Sequence, residues 1–314
     1  ERLASGEIDV AFVQAGTVRA DQVGQVEGLA SLYHEPVWVV MRRELAVDRL
    51  QDLRGKRVST GRPGSGTRVV ARALLDLVGV GLDELSLVDV HAAELRDAFE
   101  RGALDAAFMV ASPGSPAVRD LLEGAEGDLR LFDVPRPLAF RRHLRYLREV
   151  ELGIGLVDPA ANLPSEPATL LAPTACLLSR VDLHPAIVPL ILGVARDVHE
   201  EGGLLEESGA FPSEHNLEVP LAVSAETWFR SGPSILFRVL PFGVAAVIDR
   251  LWILLFPLLT LLFPLMTVLP PVLRWRIRSR IYRWYKVLGE TEAELGDEPD
   301  TERQGKVATA LAEL

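Results

Sequence analysis

The chain has 314 residues, 48% of them hydrophobic, and a formal net charge of −11 at pH 7. This length allows two domains or one domain with appendages, and the negative charge argues against nucleic acid as a partner. The single cysteine, Cys176, excludes an internal disulfide framework, and its apolar neighbours predict a buried structural thiol. The six histidines are scattered without a metal-ligand spacing, so we expect no metal and no cofactor.

Strands and helices alternate from about residue 7 to residue 135, which predicts an α/β domain with a parallel sheet. The first predicted strand runs from Ile8 to Val13 and leads into Gln14, and the strand from Val37 to Met41 is placed to cross between two lobes. Ligands gather at the carboxyl ends of strands in such sheets. Gln14 is therefore a candidate ligand-binding residue, although an ordinary loop amide fits the pattern equally well.

The stretch from Gly55 to Gly79 carries the clearest local signal of a binding site. It predicts a strand from Arg57 to Thr60, a glycine-rich turn, and an amphipathic helix from Thr67 to Val78. Backbone N–H groups, hydroxyls and the positive end of a helix dipole in such a turn suit a small anion such as a carboxylate. The same pattern joins strand and helix in any α/β domain, with a hydroxyl acting only as a helix cap. The spacing matches neither the nucleotide phosphate loop nor the dinucleotide fingerprint.

The following elements repeat this alternation. The segments Gly6–Phe12 and Gly102–Phe108 share the pattern Gly-x-x-Asp-φ-Ala-Phe, where φ is apolar, which suggests two similar halves. Ser112 lies in the turn after the second segment, where a ligand rim and an ordinary turn are both open interpretations. The predicted elements are strands at 85–90, 104–110, 129–134 and 174–178, helices at 92–101, 117–122, 140–151 and 184–200, and a loop at 158–173.

Residues 251–273 form an uncharged stretch, long enough for one helix to cross about 30 Å of hydrocarbon. Basic residues follow directly, so the positive-inside rule predicts a cytoplasmic C-terminal end and an extracytoplasmic domain at residues 1–233. We therefore expect a single-pass protein of the inner membrane. An interfacial amphipathic segment at 234–250 would precede the span, and a basic segment and acidic tail at 274–314 would follow it.

Four segments of the chain resemble the TAXI family, the solute-binding receptors of tripartite ATP-independent periplasmic (TRAP) transporters, which are related to the NMT1-like binding proteins. The segments are Gly6–Gln14, Ala30–Tyr33, Leu53–Thr67 and Gly102–Phe108, and the most specific element is Gly-x-x-Gly-Ser-Gly-Thr in the third. The resemblance covers about residues 1–200. It implies a two-lobed periplasmic binding fold of type II that closes over a small organic anion, such as an amino acid or a dicarboxylate.

By this resemblance Gln14 lines the first lobe, and Ser65, Gly66 and Thr67 hold the ligand's carboxylate in the second. The family's opening strand is absent, which implies a chain truncated at its N-terminus with an incomplete first lobe and a second lobe at about 42–150. The family's usual Pro-x-Gly-x-Tyr loop after residue 150 is also replaced, which leaves the ligand's identity open. The full predicted ligand-binding set is Gln14, Thr60, Gly64, Ser65, Gly66, Thr67 and Ser112.

The function predicted from these features is that of an extracytoplasmic receptor that captures a small organic anion for a TRAP-type transporter and contacts its membrane subunits. A membrane-anchored ligand sensor or scaffold subunit is the alternative, and an NMT1-like enzyme is a weaker one. No catalytic residue is predicted, because the sequence has no recognisable Ser/His/Asp or Cys/His arrangement.

Overall fold

The computed structural model describes residues 1–125 and 127–232, short helical stretches between residues 257 and 290, and a helix at Asp300–Ala312. The chain divides into two compact units, Glu1–Ile235 and Leu236–Leu314. The first unit is a mixed α/β structure that contains two β-sheets. All the predicted ligand-binding residues belong to this unit.

The first sheet is built on one long strand. It contains β1 (Val10–Gln14), β2 (Val26–His34), β8 (Leu147–Leu152) and the long strand β9 (Ala168–Arg180). The strands β1 and β2 flank the second half of β9, and both are antiparallel to it. The first half of β9 pairs with β8. Because β1 and β2 run in the same direction, their carboxyl ends lie at the same edge of the sheet.

The second sheet lies between helices. It contains β3 (Val37–Arg42), β4 (Arg57–Ser59), β5 (Ser86–Leu87), β6 (Ala106–Val110) and β7 (Leu129–Leu131), in the order β5-β4-β6-β3-β7. β4 is parallel to β5 and β6, whereas β3 is antiparallel to β6 and β7. Within this sheet the predicted parallel arrangement is therefore wrong for β3, which runs opposite to the other four strands. It is also wrong for β1 and β2, which pair with β9 of the first sheet in antiparallel fashion.

Among the helices, the one that follows the glycine-rich turn agrees best with the prediction from the sequence. The described part of the first unit contains α1 (Gly66–Leu77), α2 (Leu95–Glu100), α3 (Pro116–Ala125), α4 (Pro137–His143), α5 (Val188–His199) and α6 (Val223–Ser231). Helix α1 matches its predicted bounds to within one residue. Its buried face consists of Val70, Ala71, Leu74 and Leu75, at the spacing of an amphipathic helix.

Helices cover both faces of the second sheet. Val39 of β3 lies in one apolar cluster together with Leu75 of α1. The adjacent Trp38 lies in a second cluster, together with Phe99 of α2 and Leu122 of α3. Because successive side chains of a strand point to opposite faces, the two clusters lie on opposite sides of the sheet. The second sheet is thus the middle of three layers.

Two predicted elements after Pro135 are wrong. The predicted helix at 140–151 is the shorter helix α4 followed by the strand β8, and the predicted loop at 158–173 includes the first residues of β9. Pairing between β8 and β9 explains both differences, because a strand is stabilised by its neighbours rather than by its own sequence alone.

The predicted membrane span is also corrected. The segment 234–250 and residues 251–256 lie outside the described residues, as do several later positions of the predicted span. Among the residues that the structure describes, no helix is long and apolar enough to cross a membrane. This finding contradicts the predicted transmembrane helix and single-pass inner-membrane localisation. The predicted span at 251–273 contains four prolines, and proline lacks the backbone N–H group that a helix interior needs. The four are Pro257, Pro264, Pro270 and Pro271.

Candidate functional site

The carboxyl ends of strands from both sheets meet at the first turn of helix α1. The side chain of Gln14, the last residue of β1, donates a hydrogen bond from Nε2 to the carbonyl oxygen of Gly66, 3.2 Å away. Gly66 is the first residue of α1, which follows β4 of the second sheet. This contact therefore joins two predicted ligand-binding residues that are 52 positions apart in the chain.

The close approach of Gln14 favours glycine at residue 66, since a larger residue would push the flexible end of the Gln14 side chain aside. A Cβ atom on Gly66 would lie 2.5 Å from Oε1 of Gln14, closer than non-bonded atoms approach each other. Gly64, in the turn before the helix, is glycine for a different reason. Its φ angle of +81° is one that other residues rarely adopt, and a Cβ atom there would meet nothing within 4 Å.

Ser65 and Thr67 both have hydrogen-bond partners within the protein. Ser65 is the N-cap of α1, and its Oγ accepts a bond of 3.2 Å from the backbone N–H of Arg68. Thr67 Oγ1 accepts a bond of 3.2 Å from the backbone N–H of Val110, the last residue of β6. The capping role left open by the sequence thus applies to Ser65. The Ser65 hydroxyl also donates its proton to the carbonyl oxygen of Arg62, 2.8 Å away, so it has no proton left for a ligand. Thr67 Oγ1 accepts the bond from Val110 and still has its own proton to donate to a ligand.

Two hydroxyl groups at the end of β4 are buried without a partner. Ser59 and Thr60 are each 1% exposed, and neither Ser59 Oγ nor Thr60 Oγ1 has a hydrogen-bond partner among the described residues. An unsatisfied buried polar group costs roughly 1–3 kcal/mol. Thr60 belongs to the predicted ligand-binding set, and Ser59 is an addition from the structure. Ligands bind at the carboxyl ends of strands in such sheets, and a ligand that bonds to these hydroxyls would offset that cost.

A second pair of side chains lies beside the residues that follow β1. The backbone N–H of Gly16 donates to the carboxylate of Glu218, and a Cβ atom on Gly16 would lie 2.6 Å from the ring of Tyr146. Burial raises the pKa of Tyr146 to about 12, with the Glu218 charge as a smaller cause, and burial also raises the pKa of Glu218. No local pattern points to either residue, because Tyr146 lies in the segment 140–151 that is wrongly predicted as a helix, and Glu218 is 202 positions from Gly16.

Ser112 lies in a different part of the same region. It follows β6 and lines a cavity of about 420 Å³ together with Tyr33 and His34, at the end of β2. Since β1 and β2 flank β9, the ends of these strands are two strand spacings apart, roughly 10 Å. The structure therefore brings Gln14 against the first turn of α1, which begins at Gly66 and is called the α1 turn below. It places Ser112 in the neighbouring cavity.

The cysteine has the structural role that the sequence predicts. Cys176 is buried and unpaired, and its Sγ lies 3.6 Å from the carbonyl oxygen of Thr174. Burial raises the pKa of Cys176 to about 12, so the thiol stays protonated at neutral pH.

Comparison with known proteins gives one family similarity. The model of the NMT1-like family matches residues 1–139 of the 314-residue chain. This part contains all seven predicted ligand-binding residues. It also contains the contact between Gln14 and Gly66 and the unpaired hydroxyls of Ser59 and Thr60.

The chain is also similar to solved structures of periplasmic binding proteins. The periplasmic aliphatic sulphonate binding protein SsuA from Escherichia coli is 13% identical, with a TM-score of 0.38, and the match covers 78% of this chain and 66% of that chain. The sulfonate-binding SsuA from Methylobacillus flagellatus is 14% identical, with a TM-score of 0.39, and the match covers 77% and 58%. AbpA, an amino acid ABC transporter substrate-binding protein from Streptococcus pneumoniae bound to L-arginine, is 17% identical, with a TM-score of 0.38, and the match covers 65% and 67%. The chain thus spans about three fifths of the SsuA structures.

Proposed function

We propose that this chain captures a small organic anion between its two sheets, at the first turn of helix α1. The observation that carries the proposal is the hydrogen bond from Gln14 to Gly66. This bond brings the end of a strand of the first sheet against the start of a helix that packs on the second sheet. A ligand held at this point would contact both sheets, as a binding protein of two lobes requires.

The chemistry of the site favours an anion. The N-terminus of a helix carries roughly half a positive charge and presents backbone N–H groups, and α1 is twelve residues long. The hydroxyl groups of Thr60 and Thr67 lie in and beside the same turn, and both can donate to oxygen atoms of a ligand. Carboxylates and sulfonates are small organic anions whose oxygen atoms can accept these hydrogen bonds.

The more specific part of the proposal is a solute-binding receptor of the TAXI type that serves a TRAP-type transporter. Its support is the Gly-x-x-Gly-Ser-Gly-Thr element at residues 61–67, together with the match of the NMT1-like family to residues 1–139. We place amino acids, dicarboxylates and sulfonates in the same ligand class, since the anionic group of each, a carboxylate or a sulfonate, presents two or three acceptor oxygens to the first turn of α1.

Thermal unfolding of the full chain against a panel of these three compound classes tests the proposal. A ligand at a hundred times its dissociation constant stabilises the folded state by about 2.7 kcal/mol, which gives a clear rise in melting temperature. In the variant Gly66→Ala, the same rise in melting temperature should require at least ten times more ligand, because the added Cβ displaces Gln14.

The matched control is Gly193→Ala. Gly193 lies within helix α5, and a Cβ atom there meets nothing within 4 Å. This variant should bind as the original protein does. A cooperative unfolding transition that no compound shifts, or a shift that Gly66→Ala leaves unchanged, would overturn the proposal.

A further inference from the structure

The cavity beside Ser112 differs in chemistry from the α1 turn. Three segments surround it: the end of β2, the turn after β6 and the loop after α5. Its volume is about 420 Å³, within the range of roughly 300–1,000 Å³ that is usual for ligand pockets. The residues that line it are Leu32, Tyr33, His34, Ser112, Pro113, Gly114, His199, Gly202, Gly203, Leu204, Glu206 and Phe211.

Aromatic rings form much of the wall. Tyr33 stacks on His199 with ring centroids 5.5 Å apart, and His34 meets Phe211 edge to face at 5.2 Å. The faces of such rings carry partial negative charge and attract cations. Because each ring is held by a neighbour, the wall is already ordered before a ligand arrives.

Glu206 is the one residue with a formal charge among the described residues that line this cavity. Its Oε1 accepts a hydrogen bond of 2.9 Å from the backbone N–H of His34, which fixes the carboxylate against the end of β2. The loop that carries it is tight. The φ angle of Gly202 is +84°, and a Cβ atom on Gly203 would lie 2.5 Å from Oε2 of Glu206.

The two histidines do not neutralise this carboxylate. Burial lowers the pKa of His34 and of His199, although the charge of Glu206 opposes the effect in both. Outside the wall, the charge of Arg148 also lowers the pKa of His34. Burial raises the pKa of Tyr33, and the charge of Glu35 adds to this effect. At neutral pH the lining therefore carries a single negative charge beside aromatic rings.

A metal ion does not fit this cavity. In the described part of the chain, no group of three or more His, Cys, Asp or Glu side chains could hold one. An organic cation needs only one carboxylate and a set of ring faces. We propose that the cavity is a second binding site, which takes an organic ammonium through the Glu206 carboxylate and the rings of Tyr33 and Phe211.

Calorimetric titration of the full chain at about pH 7 tests this site with two compounds of the same shape. One is choline, and the other is its uncharged analogue in which carbon replaces the quaternary nitrogen. We expect choline to bind at least tenfold more tightly than the analogue. Equal affinities, or no binding of choline, would overturn the proposal.

Two variants with the same change of charge show which residue gives this preference. Glu206→Gln keeps the oxygen that accepts from His34 but loses the charge, so the preference for choline should disappear. Glu201→Gln changes an exposed residue outside the lining and should leave the preference intact. A preference that survives in Glu206→Gln would contradict the assignment of the carboxylate.

The site does not depend on the proposed anion site, and Gly66→Ala separates the two. This variant should bind choline as the original protein does, because Gly66 is not part of the cavity lining. Glu206→Gln should in turn keep the thermal response to anions. Loss of choline binding in Gly66→Ala would contradict a separate site, whereas failure of the anion panel alone would leave the cation site standing.

Discussion

The two Gly-x-x-Asp-φ-Ala-Phe segments have the same local structure but very different surroundings. Gly6 and Gly102 have nearly equal φ angles, +74° and +73°, and each precedes a strand, β1 or β6. Yet Phe12 is 70% exposed, whereas Phe108 is 1% exposed. The pattern specifies the turn and the strand, and the position of the strand in its sheet determines the burial.

The neighbours of each strand explain the difference. β6 lies between β4 and β3, and Phe108 belongs to the apolar cluster that includes Leu75 of α1. β1 pairs with β9 alone among the described strands, so it lies at an edge of the first sheet. The two strands nevertheless end at the same place, because Gln14 contacts Gly66 and Val110 contacts Thr67.

The largest expected effect comes from shortening the two phenylalanines. Phe108→Ala should lower the free energy of unfolding by about 3–5 kcal/mol, since it removes a buried ring and leaves a cavity. Phe12→Ala should change it by no more than about 0.5 kcal/mol, because the ring is already in solvent. Urea unfolding of both variants measures the difference. Similar losses of unfolding free energy in the two variants would show that burial does not distinguish the segments.

The aspartates of the two segments differ in burial as the phenylalanines do, with the one in the second segment more buried. Asp105 Oδ2 accepts a bond of 2.8 Å from the backbone N–H of Arg57, and its side chain is 16% exposed, whereas Asp9 pairs with Arg180 and is 66% exposed. Asp105→Asn should cost about 1.5–3 kcal/mol. Asp9→Asn should cost about 0–1 kcal/mol, as is usual for exposed ion pairs.

The pH dependence sharpens this second comparison. The Arg57 guanidinium lowers the pKa of Asp105 below its ordinary value of 3.8. A lowered pKa means that the stabilisation is present above the ordinary value and is lost as the pH falls through the lowered one. The difference between the original protein and Asp105→Asn should therefore shrink in strongly acidic solution. A difference that stays constant down to that range would show that the charge does not cause it.

The smallest effects on stability are expected where the two strands end. Thr67→Val removes the acceptor for the Val110 N–H and should cost about 1 kcal/mol. Gln14→Ala should cost no more, because its bond has the same length of 3.2 Å and is likewise only partly buried, but it should weaken anion binding at least tenfold. Unfolding curves recorded with and without the bound anion separate the two roles. A loss of stability from Gln14→Ala that exceeds the loss from Thr67→Val would reverse this assignment.

The sequence predicts those parts of the fold that depend on local pattern. The strand, turn and helix between Arg57 and Leu77 follow from the glycine spacing and the apolar face of α1, and both agree with the structure. The strand β8 could not be predicted, because its residues become a strand only by pairing with β9, about twenty positions later.

The candidate site divides in the same way. Gln14 and Gly66 could be proposed from the strand end and the glycine-rich turn, although nothing local shows that they touch. Tyr146 and Glu218 reach the site only through the folding of distant segments. Glu206 likewise lies far along the chain from Tyr33, in a loop without a motif.

The most direct test of the proposed anion site is an NMR titration of the isotope-labelled full chain with the anion that gives the largest thermal shift. The backbone amide signals of Gly66 and Thr67 report on the first turn of α1, and that of Gly193 in α5 serves as the reference. We predict that the first two signals move with the same dissociation constant as the thermal response, while the reference stays in place. Signals of Gly66 and Thr67 that do not move while the anion binds would contradict the site.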